Sequence, residues 1–172
     1  MYLATQEICG AEGLESYEVS NHAKPGAESR HNMVYWRYGD YVGIGPGAHG
    51  RLALGSPDSR DDRGTHQIHN PDRWLEKVES QGHGTAKRRK LAARDRARER
   101  IIMGLRLSEG MDRGRFRAQT GAEVLDFIDD RALAASLDEG YVTLDDGRLA
   151  ATAEGRLRLN GLLAALLRDD EN

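Results

Sequence analysis

The sequence has almost no cysteine and no long apolar run. Cys9 is the single cysteine in 172 residues, which excludes an internal disulfide and suits a reducing cytosol. A four-iron cluster needs at least three cysteine thiolates, and a cysteine-type zinc site needs several, so this chain alone supplies neither. No apolar stretch approaches 18 residues, and the first residues lack the basic start and apolar core of a signal peptide. We therefore expect a cytoplasmic chain.

Neither sign of charge dominates, because the net charge is −3, but the charges are divided along the chain. Residues 1–84 carry 8 basic and 12 acidic side chains, residues 85–119 carry 12 and 4, and residues 120–172 carry 5 and 12. A basic middle part therefore lies between two acidic parts, and total charge indicates no particular partner.

The first 84 residues show a few clear elements. A helix is predicted over 2–12, a short β-type run over 15–21 and a buried strand over DYVGIG at 40–45. The turn-rich segment 55–64 predicts the tip of a hairpin. Asn70 and the proline after it predict the start of a helix that ends at Gly82–Gly84. Such a short sheet needs cover, so these residues look like the end of a larger α/β domain.

From Leu91 onward the pattern is mostly helical. It predicts a helix to Gly110, a short helix capped by Asp112, further helix over 123–139, a hairpin about Asp146-Gly147 and a last helix capped by Thr152. The last helix carries an apolar stripe of five leucines, namely Leu159, Leu162, Leu163, Leu166 and Leu167. This order is winged-helix-like. The predicted fold class is α/β plus α, with domains at 1–84 and 85–172.

Two segments are candidate sites. In RHNMVYW, His31 is a possible iron ligand and Tyr35 and Trp36 can cover a flat macrocycle; the alternative is a surface loop packed by its aromatics. In GIGPGAHG, the glycines let backbone amides approach a ligand; the alternative is an ordinary turn after a strand.

The basic run Lys87-Arg88-Arg89-Lys90 has two readings. One interpretation is a surface that contacts phosphate groups. The other is a solvated linker before a charged helix face. We expect the second, because the helix over 123–139 is strongly acidic and would repel nucleic acid. An acidic protein or anionic lipid headgroups remain possible partners of the basic face. Cys9 is expected to be buried and inert.

The run YEVSNHAKPGAESRHNMVYWRYGDYVGIGPGAHG at 17–50 resembles the HemW-type radical S-adenosylmethionine proteins, which are related to oxygen-independent coproporphyrinogen III oxidase. NPDRW, IIMGLRLSEG and DGRLAATAEGRLRLN extend the resemblance over essentially the whole chain. It implies that residues 1–84 are the C-terminal end of a radical S-adenosylmethionine barrel, a partial TIM-like barrel. Residues 85–172 would be the HemN-type C-terminal winged-helix-like domain.

The resemblance also implies a function in haem binding and transfer. The family's HNxxYW motif, associated with haem, is matched by His31, Asn32, Tyr35 and Trp36, with His31 as the candidate haem-iron ligand. The three glycines after the predicted strand would lie at the S-adenosylmethionine end of the barrel; they are Gly43, Gly45 and Gly47. The family's CxxxCxxC motif for a 4Fe–4S cluster is absent, so we expect a C-terminal part with no catalytic residues of its own.

The sequence departs from the family at Ser29, where many relatives carry cysteine, and in the basic character of residues 84–91. The expected partners are haem and haem-accepting proteins at the membrane surface, with self-association through an open barrel edge. Two alternatives stay open: a coproporphyrinogen III oxidase in full-length form, and a winged-helix module that binds nucleic acid or protein.

Overall fold

A computed structural model describes residues 2–54 and 61–168. Its contacts form two compact units. The helical unit comprises Met1–Tyr38 and Ala97–Asn172, and the hairpin unit comprises Gly39–Arg96. These units do not coincide with the predicted domains 1–84 and 85–172, whose boundary stays a prediction. The chain is a mixed α/β protein as expected, and its described residues form no closed barrel.

The hairpin unit is built on three antiparallel strands. β3 (His49–Leu54) pairs with β4 (Asp61–Gln67), which pairs with β5 (Thr85–Lys90). The predicted hairpin is therefore confirmed, while residues 55–60 of its tip lie outside the described residues. The predicted helix is also confirmed as α3 (Pro71–Gln81). The Asn70 side chain caps its start by accepting a hydrogen bond from the Arg73 amide at 3.0 Å.

Two predictions for this unit are wrong. Segment 40–45 is not a buried strand: it makes one bridge, from Tyr41 to Arg51, and leaves Val42 and Ile44 exposed at 64% and 81%. The positive φ of Gly45, 102°, turns the chain before a ladder can continue. The basic run is not a linker but strand β5, since backbone pairing with β4 needs no apolar periodicity.

The helical unit contains the remaining elements. They are α1 (Tyr2–Ala11), β1 (Glu15–Ser16), β2 (His22–Ala23), α2 (Arg30–Trp36), α4 (Ala93–Gly104, whose first turn belongs to the hairpin unit), β6 (Met111–Asp112), α5 (Arg113–Thr120), a 3₁₀ turn (Val124–Phe127), α6 (Asp130–Asp138), β7 (Val142–Leu144), β8 (Arg148–Ala151), α7 (Ala153–Leu157) and α8 (Leu159–Leu166). Strands β6, β8 and β7 form one antiparallel sheet in that order. None of the described helices is long and apolar enough to cross a membrane.

Local capping explains where several of these helices begin. Asp112 and Thr152 cap α5 and α7 as predicted, and the hairpin about Asp146-Gly147 is confirmed as β7 and β8. The helix over 123–139 is instead split, because Asp129 accepts a hydrogen bond from the Ala132 amide and starts α6 afresh.

Two further boundaries differ from the predictions. α4 ends at Gly104 rather than Gly110, and the last helix is divided at Arg158. The leucine stripe is buried as predicted. It joins a core of buried side chains formed by Ala97, Ile101, Leu105, Met111, Phe116, Val124, Ile128, Leu133, Val142, Leu149, Ala151, Leu159, Leu162, Leu163, Leu166 and Leu167.

Candidate functional site

The predicted haem motif forms helix α2. The Ser29 hydroxyl accepts a hydrogen bond from the Asn32 amide at 3.4 Å and caps the helix. Side chains four residues apart share a helix face, so the motif divides into two rows. The exposed row is His31 and Tyr35, and the anchoring row is Asn32 and Trp36.

The exposed row presents an imidazole to solvent. The His31 and Tyr35 rings meet edge to face, with centroids 4.7 Å apart and an interplanar angle of 78°. The Tyr35 hydroxyl lies 3.1 Å from His31 Nε2. His31 is exposed, whereas Tyr35 is half-buried. The histidine is therefore accessible, and its Nε2 is oriented by a neighbour one turn away.

The anchoring row fixes the helix to the rest of the helical unit. Asn32 Nδ2 donates to the Tyr17 hydroxyl at 3.0 Å. The Arg106 guanidinium lies 4.5 Å from the centre of the Trp36 ring, within the range of a cation–π contact. The Trp36 indole N–H is buried and has no hydrogen-bond partner in the described part of the chain.

Arg106 is held in turn by a buried carboxylate. Its Nη2 lies 3.5 Å from Glu18 Oε2, and Glu18 is fully buried. Glu18 Oε1 also accepts hydrogen bonds from the Ser20 amide at 2.9 Å, the Ser20 hydroxyl at 2.8 Å and Asn21 Nδ2. Burial by itself would raise the pKa of Glu18, but these hydrogen bonds and the charge of Arg106 hold the pKa below its ordinary value. Glu18 is therefore an ionised carboxylate that holds Arg106, the residue that contacts Trp36 of α2.

A cleft of about 180 Å³ lies at the C-terminal end of α2. Arg37, which lines it, makes a bidentate ion pair with Glu109, with N–O distances of 2.9 and 3.1 Å. Tyr38 has a positive φ of 54°, an uncommon conformation for a residue other than glycine. Its hydroxyl donates to Glu99 Oε2 at 2.5 Å, and the Arg100 guanidinium lies 4.5 Å from its ring centre.

The glycine segment belongs to the hairpin unit. A Cβ at Gly43 would lie 2.2 Å from the carbonyl oxygen of His49, and one at Gly47 would lie 3.2 Å from the His69 ring. His49 stacks on His66 with ring centroids 4.2 Å apart. Burial, followed by the charges of His66 and Arg51, lowers the pKa of His49. Close packing thus requires glycine at 43, while the ligand role of Gly43, Gly45 and Gly47 stays a prediction.

The sequence did not predict the ion pair between Glu18 and Arg106. Glu18 and Arg106 are charged residues 88 positions apart, and no pattern pairs them. The local signal was the run Glu18-Val19-Ser20-Asn21, in which a carboxylate is followed by donors at short range. Cys9 is half-buried rather than fully buried. Among residues 2–54 and 61–168, no group of three histidine, cysteine, aspartate or glutamate side chains is placed to hold a metal ion.

The chain is similar to one family model and to several known proteins. Residues 91–158 match the family model described as HemN C-terminal domain. The mitochondrial radical S-adenosyl methionine domain-containing protein 1 of Danio rerio is 34% identical over 169 residues, which are 97% of this chain and 38% of that protein. The heme chaperone HemW of Escherichia coli (strain K12) is 35% identical over 161 residues, covering 94% of this chain and 40% of HemW.

One solved structure has the same fold over nearly the whole chain. It is coproporphyrinogen III oxidase (HemN) from Escherichia coli, described as a radical SAM enzyme, with a TM-score of 0.67 at 19% identity. The match covers 95% of this chain and 39% of that one. The chain thus spans about two fifths of the length of the relatives that it matches.

Proposed function

We propose that the chain is part of a HemW-type radical S-adenosylmethionine protein and that it contributes part of a haem-binding site. The proposed contact surface is the exposed row of α2. The observation that carries this proposal is the division of the motif. An accessible histidine lies on a helix that Asn32 and Trp36 hold through the neighbouring face. We infer haem as the ligand because the HemW relative is named a heme chaperone.

His31 is the proposed axial ligand of the haem iron. Neutral imidazole is a common iron ligand, and Nε2 is the atom that Tyr35 contacts here. The Tyr35 hydroxyl would have to release Nε2 for this role, and the Tyr35 ring, 4.7 Å from the imidazole, would supply aromatic surface to the ligand. Asn32 and Trp36 are positioning residues in this proposal, because their partners are Tyr17 and Arg106.

The 4Fe–4S cluster does not fit the residues of this chain, because Cys9 is its only cysteine. We derive no step through a cluster. S-adenosylmethionine and the cluster are proposed only for full-length relatives, with Gly43, Gly45 and Gly47 at the cofactor end of the barrel. In this proposal the chain alone performs no oxidative decarboxylation.

The finer fold assignment is also a proposal. The sheet order β6-β8-β7, with α4, α5 and α6 before the hairpin, supports a winged-helix-like domain over 85–172. Residues 1–84 are proposed as the end of a partial TIM-like barrel. The fold shared with HemN supports both assignments, because it extends over 95% of the chain.

Haem-accepting proteins are the proposed partners. The four basic side chains Lys87–Lys90 are exposed on β5, which supports a location at an anionic membrane surface. The single cysteine supports a reducing compartment. Self-association is proposed from apolar side chains that stand exposed on the helical unit, such as Leu3 and Ile8 at 65% and 66%.

Titration with ferric haem tests the proposed ligand. The Soret band of haem should shift on binding to the wild-type chain, and His31→Ala should remove the shift. His83→Ala is the matched control, because His83 is an exposed histidine outside the motif. Equal Soret shifts for wild type and His31→Ala would overturn the ligand assignment.

A further inference from the structure

We propose that the cleft at the C-terminal end of α2 binds a carboxylate carried on a flat apolar ring. The carboxylate chemistry stands on the cleft itself, whereas its assignment to the propionate edge of haem rests on the proposed function. The cleft is connected to the motif through Trp36, which belongs to the anchoring row and also lines the cleft. It lies wholly within the helical unit.

The floor of the cleft is apolar and its wall is aromatic. Leu107, Met111 and Phe116 lie on the floor and are 7% exposed or less. Trp36 and Tyr38 supply ring surface. Because the three apolar side chains of the floor are already buried, apolar contact with a ligand would come mainly from the rings of Trp36 and Tyr38. A volume of about 180 Å³ suits the edge of a large ring or the whole of a small one.

The charge at the cleft is predominantly positive. Its lining contains four arginines and two carboxylates: Arg37, Arg100, Arg115 and Arg148, with Glu109 and Asp112. Both carboxylates are already engaged. Glu109 is paired with Arg37, and Asp112 accepts the Arg115 amide at 2.7 Å to cap α5. Neither Arg115 nor Arg148 is therefore paired with a carboxylate of the cleft, so these two cations are open to an anion from outside.

Two arginines are suited to bind that anion. The Arg115 guanidinium has no hydrogen-bond or ion-pair partner among the described residues, and it is exposed. Arg148 Nη1 donates to the backbone carbonyl of Glu109 at 2.9 Å, which leaves its charge without a carboxylate. The planar fork of arginine matches a carboxylate in bidentate geometry.

Trp36 lines the cleft with its ring, and its indole N–H lacks an acceptor in the part of the chain that the structure describes. Its indole N–H is buried and unsatisfied within residues 2–54 and 61–168, and buried donors in proteins are nearly always paired. Free phosphate would pair with the arginines but would leave the rings of Trp36 and Tyr38 uncovered, so a carboxylate carried on a ring matches the lining better.

Fluorescence titration with a metal-free porphyrin tests the inference. Mesoporphyrin, with two free propionates, should bind the full chain about tenfold more tightly than its dimethyl ester, since charge-assisted hydrogen bonds are lost in the ester. Arg115→Ala combined with Arg148→Ala should remove that preference. Arg131→Ala is the matched control, because it removes an exposed arginine of α6 that does not line the cleft.

The outcomes separate the inference from the proposed function. Metal-free porphyrin needs no iron ligand, so His31→Ala should leave the acid-over-ester preference unchanged even if it abolishes the Soret shift of haem. If 1-naphthoate binds as tightly as the porphyrin acid, the source is a small aromatic carboxylate; much weaker binding assigns the haem edge. Equal affinity for acid and ester overturns the inference. The inference also fails if the Arg115→Ala and Arg148→Ala double variant keeps the same acid-over-ester preference as Arg131→Ala. Circular dichroism checks that each variant is folded.

Discussion

Replacing Glu18 should destabilise the chain and loosen the motif helix. Glu18 accepts hydrogen bonds from the Ser20 amide, the Ser20 hydroxyl and Asn21 Nδ2, and it faces Arg106 at 3.5 Å. Glu18→Ala leaves these donors and the guanidinium without their acceptor. Each charge-assisted hydrogen bond contributes about 1.5–3 kcal/mol. Because Ser20 is exposed and can bind water instead, we expect a total loss of about 3 kcal/mol.

The effect of Glu18 should depend on pH. Its pKa in the folded chain lies below the ordinary value of 4.5, because the hydrogen bonds from Ser20 and Asn21 and the charge of Arg106 outweigh burial. The carboxylate therefore contributes its full stability above pH 4.5 and loses it as the pH falls through the lower folded pKa. The difference in free energy of unfolding between wild type and Glu18→Gln should shrink over the same range.

Urea denaturation between pH 3 and pH 7 measures both effects. Glu12→Ala is the control, because Glu12 is exposed, and it should change the free energy of unfolding by less than about 0.5 kcal/mol. The reasoning would be refuted if Glu18→Ala matched this control at pH 7. A wild-type difference from Glu18→Gln that stayed constant down to pH 3 would refute the ionised state of Glu18.

Two further predictions concern packing. Leu166 is fully buried in the core, so Leu166→Ala should lower the free energy of unfolding by about 2–5 kcal/mol. Leu157 is 38% exposed, so Leu157→Ala should lower it clearly less. Equal losses of the two variants in urea denaturation would contradict the core assignment. Gly43→Ala should weaken hydrogen-exchange protection of β3, because its Cβ would lie 2.2 Å from the His49 carbonyl oxygen. Gly10→Ala in α1 is the control: its Cβ meets nothing within 4 Å, so it should stabilise the helix by about 1 kcal/mol. If Gly43→Ala also stabilised the chain, the close approach at Gly43 would be absent.

Elements set by neighbouring residues could be predicted from the sequence. Asn70, Asp112 and Thr152 each cap the helix that follows, because a side-chain oxygen reaches an amide three residues on. The leucine stripe of α8 and the residue after it was also predictable, since the spacing alone places one face in the core.

Elements set by distant partners were missed. β5 is a strand only because β4 supplies its hydrogen bonds, and its own basic composition gave no sign of pairing. Val42 and Ile44 looked like a buried strand, but their exposure depends on where the following glycines turn the chain. The segment RHNMVYW indicated a haem ligand, yet the division into two rows depends on Tyr17 and Arg106, which lie 15 and 70 positions from their partners Asn32 and Trp36.

The most direct test of the account is whether His31 coordinates the iron of bound haem. A chain labelled with nitrogen-15 in its histidines, loaded with ferric haem, should show hyperfine coupling of a histidine nitrogen to the iron by pulsed electron paramagnetic resonance. We predict that His31→Ala abolishes this coupling while His83→Ala retains it. Coupling that persists unchanged in His31→Ala would contradict the central claim that the exposed row of α2 binds haem.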